Sequence, residues 1–358
     1  MTASETSNRL GELGGWRAIL GTLTAGGDLT SADAAAAMAD ILEGRATSAQ
    51  IAAFCVALRM KGETVEEMTG LLETMLAFAD VVPLAPGTRV VDTCGTGGDR
   101  SHSINVSTLA ALVVAGAGAP VCKHGNRAAS SACGSADVLE ALGVAIDLGP
   151  ADVAACVDEV GMGFCFAPRF HATLRHAGPI RRELGVPTVF NFLGPLANPG
   201  RVRRQVLGVS DARMADRMIG VLAASGAERA LVVYGHDGLD ELTTTTTSTV
   251  LELRDGAVQT YVVDPVALGI PLAEAASLRG GDAGANAAIA REVVDGRPGP
   301  HRDIVVLNAA AGIVVAGLAA TMAEGVEAAV ASIDDGRAAG VLDRLVKTSA
   351  AAAEAGSA

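Results

Sequence analysis

The chain has 358 residues, half of them hydrophobic and only 3% aromatic, with a formal net charge of −13. This length and apolar content are enough for one large or two modest domains with a proper core. The negative charge argues against a general nucleic-acid binder, because such proteins neutralise phosphates with a basic face. A small phosphorylated ligand is compatible with the composition if a few local cations and a metal ion hold it.

Neither export nor membrane insertion is indicated. The six cysteines show no CxxC pair and no Cys/His metal spacing, which is typical of small core residues in a reducing compartment. The N-terminus has no basic region followed by an apolar stretch, as a signal peptide would. Residues 304–322 are long enough to span a bilayer, but Asn308 interrupts them and no Lys/Arg cluster flanks them. We therefore expect a buried helix there, no membrane contact and a cytoplasmic protein.

Residues 1–80 predict an all-helical domain. Thr47 with Gln50 and Thr64 with Glu67 match the capping-box pattern, each directly ahead of an apolar helical period. A further helix is expected over the Ala-rich residues 32–43. The apolar residues that share a face are Ile51, Phe54, Cys55 and Leu58 in one helix, and Met68, Leu72, Met75 and Leu76 in the next. Such stripes suit packing between helices and contact with a second subunit.

The pattern changes after residue 86 to strand, glycine-rich turn and helix. Residues 81–86 (VVPLAP) break the helical pattern and predict a domain hinge. The β-rich runs and one helix between them lie at 90–91, 119–122, 204–209, 229–234 and 106–117. This alternation predicts an α/β domain over 86–345 with a mostly parallel central sheet. The low-complexity residues 346–358 predict a disordered tail.

The segment DTCGTGGD, from Asp92 to Asp99, predicts an anion site where a strand meets a helix. Its glycines let backbone N–H groups approach an anion, and the N-terminus of the following helix adds a partial positive charge. The side chains of Ser103, Asn105, Ser107 and Thr108 can bind phosphate or a metal ion. A tight structural turn is the alternative. Neither the Walker-A motif nor GxGxxG is present, which disfavours ATP and NAD.

A second loop concentrates cations in a chain that has few of them. KHGNRAASS, from Lys123 to Ser131, follows another predicted strand and is followed in turn by GSAD, which begins at Gly134. This mixture of Lys, His, Asn, Arg and Ser suits a polyanion better than a protein core. A solvated basic loop is the alternative.

Asp240 and Glu241 form a carboxylate pair after the predicted strand at 229–234. Mg²⁺ prefers one or two carboxylates, with substrate phosphates and waters completing its shell. An Asp-Glu pair is common on ordinary surfaces. Its place after a strand favours a ligand site, because open α/β sheets bind ligands at the carboxyl ends of their strands.

A fourth cluster places two histidines and four arginines within residues 169–182. They are Arg169, His171, Arg175, His176, Arg181 and Arg182. A ligand carboxylate is one explanation and a solvated helix face is the other. For most of these side chains the sequence favours the solvated face.

Taken together, GTGGD, NVST, KHGNRAASS, GSADVLEALG, FAPRFH, RRELG, NFLGPLANP and GLDEL resemble the anthranilate phosphoribosyltransferase family in order and spacing, from about Leu13 to Ala320. The resemblance implies a fold like that of nucleoside phosphorylases and phosphoribosyltransferases. A small helical domain, joined by a segment near 168–185, would lie beside a larger α/β domain. It also implies catalysis in the cleft, a homodimer through the helical domain, and transfer of phosphoribosyl from phosphoribosyl pyrophosphate to the amine of anthranilate, with pyrophosphate released.

The resemblance also implies the site residues. Those for phosphoribosyl pyrophosphate are Gly95, Gly98, Asp99, Ser103, Asn105, Val106, Ser107, Thr108, Lys123, His124, Gly125, Asn126, Arg127, Ala128, Ala129, Ser130, Ser131 and Ser135. Those for anthranilate are Gly95, Asn126 and Arg181, with Arg181 taking the carboxylate. Those for magnesium, expected as two ions, are Ser107, Asp240 and Glu241. The residues implied as catalytic are Lys123, His124 and Asn126.

Two positions depart from the family pattern. Ala172 stands where proline is usual, and Gly178 where a bulkier residue is frequent, so acceptor affinity rather than reaction type is in question. Three alternatives stay open from the sequence: a pyrimidine nucleoside phosphorylase-like enzyme, a non-catalytic nucleic-acid-binding relative, and a paralogue that uses a substituted anthranilate. The intact GTGGD and KHGNR loops and the negative charge argue against the nucleic-acid binder.

Overall fold

In the computed structural model, which describes residues 9–128 and 132–356, a group of N-terminal helices packs against a seven-stranded sheet. The N-terminal helices are α1 (Gly15–Thr24), α2 (Ser31–Leu42), α3 (Ser48–Lys61) and α4 (Val65–Ala77). Both predicted capping boxes are confirmed, at Thr47 with Gln50 and at Thr64 with Glu67. They fix where α3 and α4 begin, because each satisfies backbone N–H groups that have no partner inside the helix.

The sheet has the order β3-β2-β1-β4-β5-β6-β7. Its strands are β1 (Val91–Gly95), β2 (Val121–Gly125), β3 (Met162–Phe166), β4 (Arg204–Gly208), β5 (Arg229–Gly235), β6 (Ser248–Arg254) and β7 (Ala257–Val263). The five strands β1 to β5 pair in parallel, and β6 and β7 add an antiparallel edge. The mostly parallel sheet predicted from the sequence is confirmed.

Within the described ranges, eleven further α-helices follow β1. They are α5 (Val106–Gly116), α6 (Ser135–Ala141), α7 (Pro150–Val160), α8 (Ala167–Phe170), α9 (Gly178–Leu184), α10 (Val189–Leu196), α11 (Ala215–Ala224), α12 (Ala283–Val294), α13 (Pro300–Ala316), α14 (Met322–Asp334) and α15 (Arg337–Gly356). Helix α5 links β1 to β2, and α11 links β4 to β5. These are the short helical crossovers that parallel strands require.

Each face of the sheet packs against a different hydrophobic core. In β5, Leu231 and Val233 pack into the core formed with α5, α13 and α14, while Ala230 and Val232 pack into the core shared with helices α1 to α4. Adjacent residues of a strand point to opposite faces, so a strand covered on both sides reads as a continuous apolar run. The helical domain is thereby joined to the sheet through apolar packing.

The segment between β3 and β4 also packs on the N-terminal helices. The 3₁₀ helix Ala172–His176 contacts α2, α9 contacts α3, and α10 contacts α3 and α4. Leu174, Ile180 and Leu184 lie against the core of the helical domain. Side chains of this segment can therefore reach the same space as the carboxyl ends of the strands.

The apolar run at 304–322 lies in α13 up to Ala316 and is buried from Ile304 to Val315, as the sequence predicted. Across the described ranges, none of the helices combines the length and the apolar character that crossing a bilayer requires.

The predicted disordered tail is wrong for residues 346–356, which continue α15. One side of this helix packs on α5 and α7, and Ser349 is fully buried. Its hydroxyl accepts a hydrogen bond from the backbone N–H of Ala145 at 3.0 Å. The alanine-rich composition hid an amphipathic helix, because alanine is a good helix former and small enough to pack closely.

Removal of residues 347–358 should lower the melting temperature. The Ala145 N–H would lose its acceptor, at a cost of about 1–3 kcal/mol, and the packing of α15 would be lost as well. Removal of residues 355–358 is the matched control and should leave the melting temperature unchanged. Equal melting temperatures for the two truncated chains would show that the end of α15 does not stabilise the fold.

Candidate active site

A cleft of about 410 Å³ opens where the sheet changes its direction of winding. Strands β1 and β4 are neighbours, but the chain proceeds from β1 towards β2 and from β4 towards β5, on opposite sides. The loops that follow these two strands therefore diverge and leave a crevice at their carboxyl ends. Open α/β sheets bind ligands at such a crevice.

Every described residue that the sequence assigned to a ligand or metal lines this one cleft. They are Gly95, Gly98, Asp99, Ser103, Asn105, Val106, Ser107, Thr108, Lys123, His124, Gly125, Asn126, Arg127, Ala128, Ser135, Arg181, Asp240 and Glu241. Ala129, Ser130 and Ser131 lie outside the described residues. The fold thus brings together four motifs that are far apart in sequence.

The carboxylate loop crosses the ends of β1 and β4 at very close range. Gly95 and Gly208 are register partners at the ends of these strands. A Cβ at Gly208 would overlap the carbonyl oxygen of Asp240, and a Cβ at Gly95 would overlap its carboxylate. The two strand ends must be glycine for the loop after β5 to reach this place.

Hydrogen bonds to backbone fix the two carboxylates. Asp240 Oδ2 accepts from the N–H of Gly97 at 2.7 Å, and Glu241 Oε1 accepts from the N–H of Ser107 at 3.2 Å. Burial and the neighbouring carboxylate of Asp99 together raise the pKa of Asp240 to about 7. Burial, together with Asp240, raises the pKa of Glu241 well above its usual range. The charged forms of Asp240 and Glu241 are therefore unfavourable unless a cation compensates them.

Asp240, Glu241 and Ser107 suit a divalent cation that takes most of its ligands from water and substrate. Across residues 9–128 and 132–356, no group of three His, Cys, Asp or Glu side chains has the arrangement of a complete metal site. Two adjacent buried carboxylates beside the Ser107 hydroxyl are a partial oxygen-ligand set. Mg²⁺ is bound in this way, with waters and substrate phosphates completing its octahedral shell.

Lys123 is a buried cation close enough to Glu241 to affect its pKa. Its side chain is 1% exposed, and Nζ donates to the Thr93 carbonyl oxygen and to Ser107 Oγ at 3.4 Å. An ammonium group has three N–H donors, so one remains for a ligand. Its positive charge also lowers the pKa of Glu241 against the effect of burial.

A buried network beneath the Lys123 loop was missed by the sequence analysis, which gave Asp92 and Asn198 no role. Asp92 Oδ1 accepts from the N–H of His124 at 3.2 Å, and Oδ2 accepts from Asn198 Nδ2 at 2.7 Å. Asn198 also donates to the Cys122 carbonyl at 2.8 Å. The network ties β1, β2 and the turn before β4 together. Only the polar residues of the NPG turn hinted at it.

His124 is neutral at physiological pH. Burial, the nearby His171 and the charge of Lys123 lower the pKa of His124 to about 3. The two rings lie 5.3 Å apart between centroids, and His171 Nε2 is 2.8 Å from the Ala197 carbonyl oxygen. A ring with so low a pKa is a weak base, which disfavours a general-base role for His124, one of the residues that the resemblance implies as catalytic.

The other end of the cleft is less polar and carries Arg181. The guanidinium lies 5.2 Å from the centroid of the Phe190 ring, within the range of a cation–π contact. Its Nε is buried and has no hydrogen-bond partner within the described part of the chain. Met75 and Leu174 line the same cleft. A planar guanidinium with unused donors beside apolar side chains suits an aromatic carboxylate.

The rest of the fourth cluster does not line the cleft, apart from His171. Arg169, Arg175 and Arg182 are exposed, as expected for a solvated face. Arg127 does line the cleft, but its guanidinium is paired with Asp137 at 3.0 Å and with Glu140 at 2.8 Å. In this arrangement the charge of Arg127 is paired with two carboxylates of helix α6.

Comparison with known proteins agrees with this architecture. Residues 17–79 match the helical bundle domain of a glycosyl transferase family, and residues 87–339 match the α/β domain of that family. The anthranilate phosphoribosyltransferase of Acidothermus cellulolyticus is 56% identical over 343 residues, 94% of this chain and 96% of the relative. That of Rhodococcus jostii is 54% identical over 349 residues, 96% of each chain.

Solved structures agree as well. The crystal structure of anthranilate phosphoribosyltransferase from Thermus thermophilus has a TM-score of 0.88 at 39% identity and covers 92% of this chain and 99% of its own. The Saccharomyces cerevisiae enzyme in complex with PRPP (phosphoribosyl pyrophosphate) and Mg has a TM-score of 0.81 at 28% identity, covering 90% and 92%.

The fold, the cleft and these matches define a pentosyl-transferring glycosyltransferase with a helical bundle beside an α/β domain. Within that class, the chain belongs to the anthranilate phosphoribosyltransferase family. The pyrimidine nucleoside phosphorylase-like and nucleic-acid-binding alternatives are thereby set aside.

Proposed function

We propose that the cleft binds phosphoribosyl pyrophosphate at its polar end and anthranilate at its Arg181 end, so that the phosphoribosyl group passes between them. The observation that carries this assignment is the convergence of the glycine loop, the Lys123 loop, the carboxylate pair and Arg181 on one cleft. In the yeast relative, structures with PRPP and Mg and with 4-fluoroanthranilate are known. This phosphoribosyl transfer to anthranilate is the second step from chorismate to tryptophan.

In this assignment, backbone N–H groups of residues 95–99 and the side chains of Ser103, Asn105 and Thr108 hold the phosphates. The N-terminus of α5 adds its partial positive charge at the same place. The described part of the second loop, from Lys123 to Ala128, lies on the other side of the cleft together with Ser135. The hydroxyl of Ser135 is 3.2 Å from the N–H of Asn126, a contact that fixes the start of the loop.

The chemistry consists mainly of positioning and charge neutralisation. The amine of anthranilate forms a bond to the ribosyl carbon as the bond from that carbon to pyrophosphate oxygen breaks, and the amine then loses a proton. Lys123 neutralises negative charge that develops on the leaving pyrophosphate. Asn126 and Gly95 position the amine against the carbon. His124 is neutral and lines the acceptor side, and no general base is assigned.

Magnesium is the metal that we propose, as two ions, with Ser107, Asp240 and Glu241 as the protein ligands. When bound, Mg²⁺ supplies positive charge to the pyrophosphate oxygens. The buried carboxylates would hold these ions from the loop after β5, where burial disfavours the charged form of both carboxylates unless a cation is present. Asp99, beside Asp240, adds to the negative potential that attracts the ions.

The double variant Asp240→Asn, Glu241→Gln should lose turnover while retaining its melting temperature. Both side chains keep their shape but lose the charge that holds the metal. Loss of anthranilate fluorescence with phosphoribosyl pyrophosphate and Mg²⁺ measures the rate. The matched control is Asp158→Asn, Glu159→Gln, which makes the same charge change on the exposed face of α7. Full activity of the first variant, or in excess EDTA, would refute the metal assignment.

Arg181→Ala should raise the KM for anthranilate strongly while barely changing the KM for phosphoribosyl pyrophosphate. A bidentate guanidinium–carboxylate pair is lost, at a cost of about 2–4 kcal/mol in kcat/KM. Arg181→Lys should recover little of this loss, because an ammonium cannot reproduce the planar pair.

Arg182→Ala is the matched control for this experiment, since Arg182 is the adjacent exposed residue on the same helix. It should leave both KM values unchanged. Kinetics with each substrate varied in turn provide the measurement. An equal rise in both KM values for Arg181→Ala would mean that Arg181 does not bind the anthranilate carboxylate.

The protein is further proposed to be a cytoplasmic homodimer that associates through the helical domain. The six cysteines are all free and buried, which suits a reducing compartment. The stripes predicted from the sequence are not available for a subunit contact, because Ile51, Phe54 and Leu58 are buried within the domain. The outer face of α3 instead exposes Val56 and Met60, the latter 83% exposed.

The double variant Val56→Asp, Met60→Asp should convert a dimer to a monomer, because two charges would be buried on association. Leu318→Asp is the matched control, since Leu318 is also an exposed apolar residue, in the turn after α13. Light scattering at micromolar concentration gives the mass. A monomeric native chain would exclude the dimer, and a dimeric double variant would exclude this face of α3.

A further inference from the structure

The carboxylates Asp240 and Glu241 lie on an irregular connection. The chain leaves β5 at Gly235 and enters β6 at Ser248 without a helix or strand between them. Metal-ligand geometry requires fixed oxygen positions, and a loop without regular hydrogen bonding does not supply them by itself. Other groups must therefore hold this loop.

One such group projects from the middle of α13. Asn308 is 2% exposed and stands among apolar residues of a buried helix. Its Oδ1 accepts from the N–H of Leu242 at 2.9 Å, and its Nδ2 donates to the carbonyl oxygen of Leu242 at 2.8 Å. The amide thus pairs with both backbone groups of one residue, as a neighbouring strand would. Leu242 is the residue directly after Glu241.

The amide is itself held in place. Nδ2 also donates to the Ile304 carbonyl of the preceding helical turn at 2.9 Å, so both of its N–H donors are used. Helix α13 packs on α5, β1, β4 and β5, and the side chain of Leu242 is fully buried. The contact therefore connects a largely buried helix of the α/β domain to the loop that carries the carboxylates.

We propose that Asn308 is a positioning residue for the metal: it fixes the Leu242 peptide groups so that Asp240 and Glu241 face the cleft. This inference rests on the proposed function, which assigns the metal to those two carboxylates. Asn308 is not among the residues that line the cleft, and its effect passes through the backbone of Leu242. An apolar residue at this position would leave a buried N–H and C=O without partners, and the loop would shift to satisfy them.

The test compares Asn308→Ala with Ser332→Ala. Ser332 is a matched control because it is also a fully buried polar residue whose side chain crosses to the backbone of another helix, at Val113 O and 2.8 Å. Binding of Mn²⁺ in the presence of inorganic pyrophosphate is measured by calorimetry, independently of turnover. The Mg²⁺ dependence of the rate, the KM for anthranilate and the melting temperature are measured alongside.

Asn308→Ala should weaken Mn²⁺ binding and raise the Mg²⁺ activation constant about tenfold or more, the range for residues that orient metal ligands. Its KM for anthranilate should stay unchanged, because Arg181 lies on a different element. Ser332→Ala should lower the melting temperature without altering Mn²⁺ binding. If Asn308→Ala does not fold, Asn308→Ser is measured in the same way and should show the same selective loss.

Three results would overturn the inference, and each identifies a different failure. If Asn308→Ala binds Mn²⁺ like the native chain while Asp240→Asn, Glu241→Gln does not, the positioning role is wrong and the metal site stands. If the carboxylate variant also binds Mn²⁺ normally, the metal assignment fails, and the positioning role fails with it. Equal changes in Mn²⁺ binding for Asn308→Ala and Ser332→Ala would show a general effect of stability.

Discussion

The close approach of the Asp240 peptide to the ends of β1 and β4 is the constraint on which the site depends. Gly95 and Gly208 face each other in register, and neither could carry a Cβ without displacing the carboxylate loop. The loop after β5 therefore reaches over two strands and meets the glycine loop, where Gly97 N–H binds Asp240. The loops that follow β1, β4 and β5 can meet because Gly95 and Gly208 have no side-chain carbon.

That convergence concentrates charge that water cannot screen. Asp92, Lys123 and Glu241 are all buried, and burial raises the pKa of both carboxyl groups while Lys123 opposes the rise. Buried charges are tolerated when they are paired and hydrogen-bonded, and here the partners come from several strands and helices. A site held in this way changes little when charge develops on a substrate, which is the condition for electrostatic catalysis.

The helical domain contributes to the site directly through Met75 of α4 and indirectly through its packing on the sheet. Its core includes residues from one face of β1, β4, β5 and β6. The segment that carries Arg181 and Phe190 is packed against the same helices. The polar end and the less polar end of the cleft thus lie on elements of two different cores, and the two cores share one sheet. Apolar packing therefore sets the distance between the two ends of the cleft.

The sequence by itself determined the local elements: the capping boxes at Thr47 and Thr64, the strand–glycine–helix turn at 92–108, and the motifs that identify the family. These depend on neighbours within a few residues, which a sequence displays directly. The family resemblance singled out Arg181, and the tertiary structure places it in the cleft while Arg182 is exposed. Only the tertiary structure decided that Asp92 and Asn198 support the Lys123 loop and that Asn308 binds Leu242. It also decided that α15 is ordered. The hydrogen bonds of Asn198, Asn308 and Ser349 join residues 66 to 204 positions apart, and composition carries no record of such contacts.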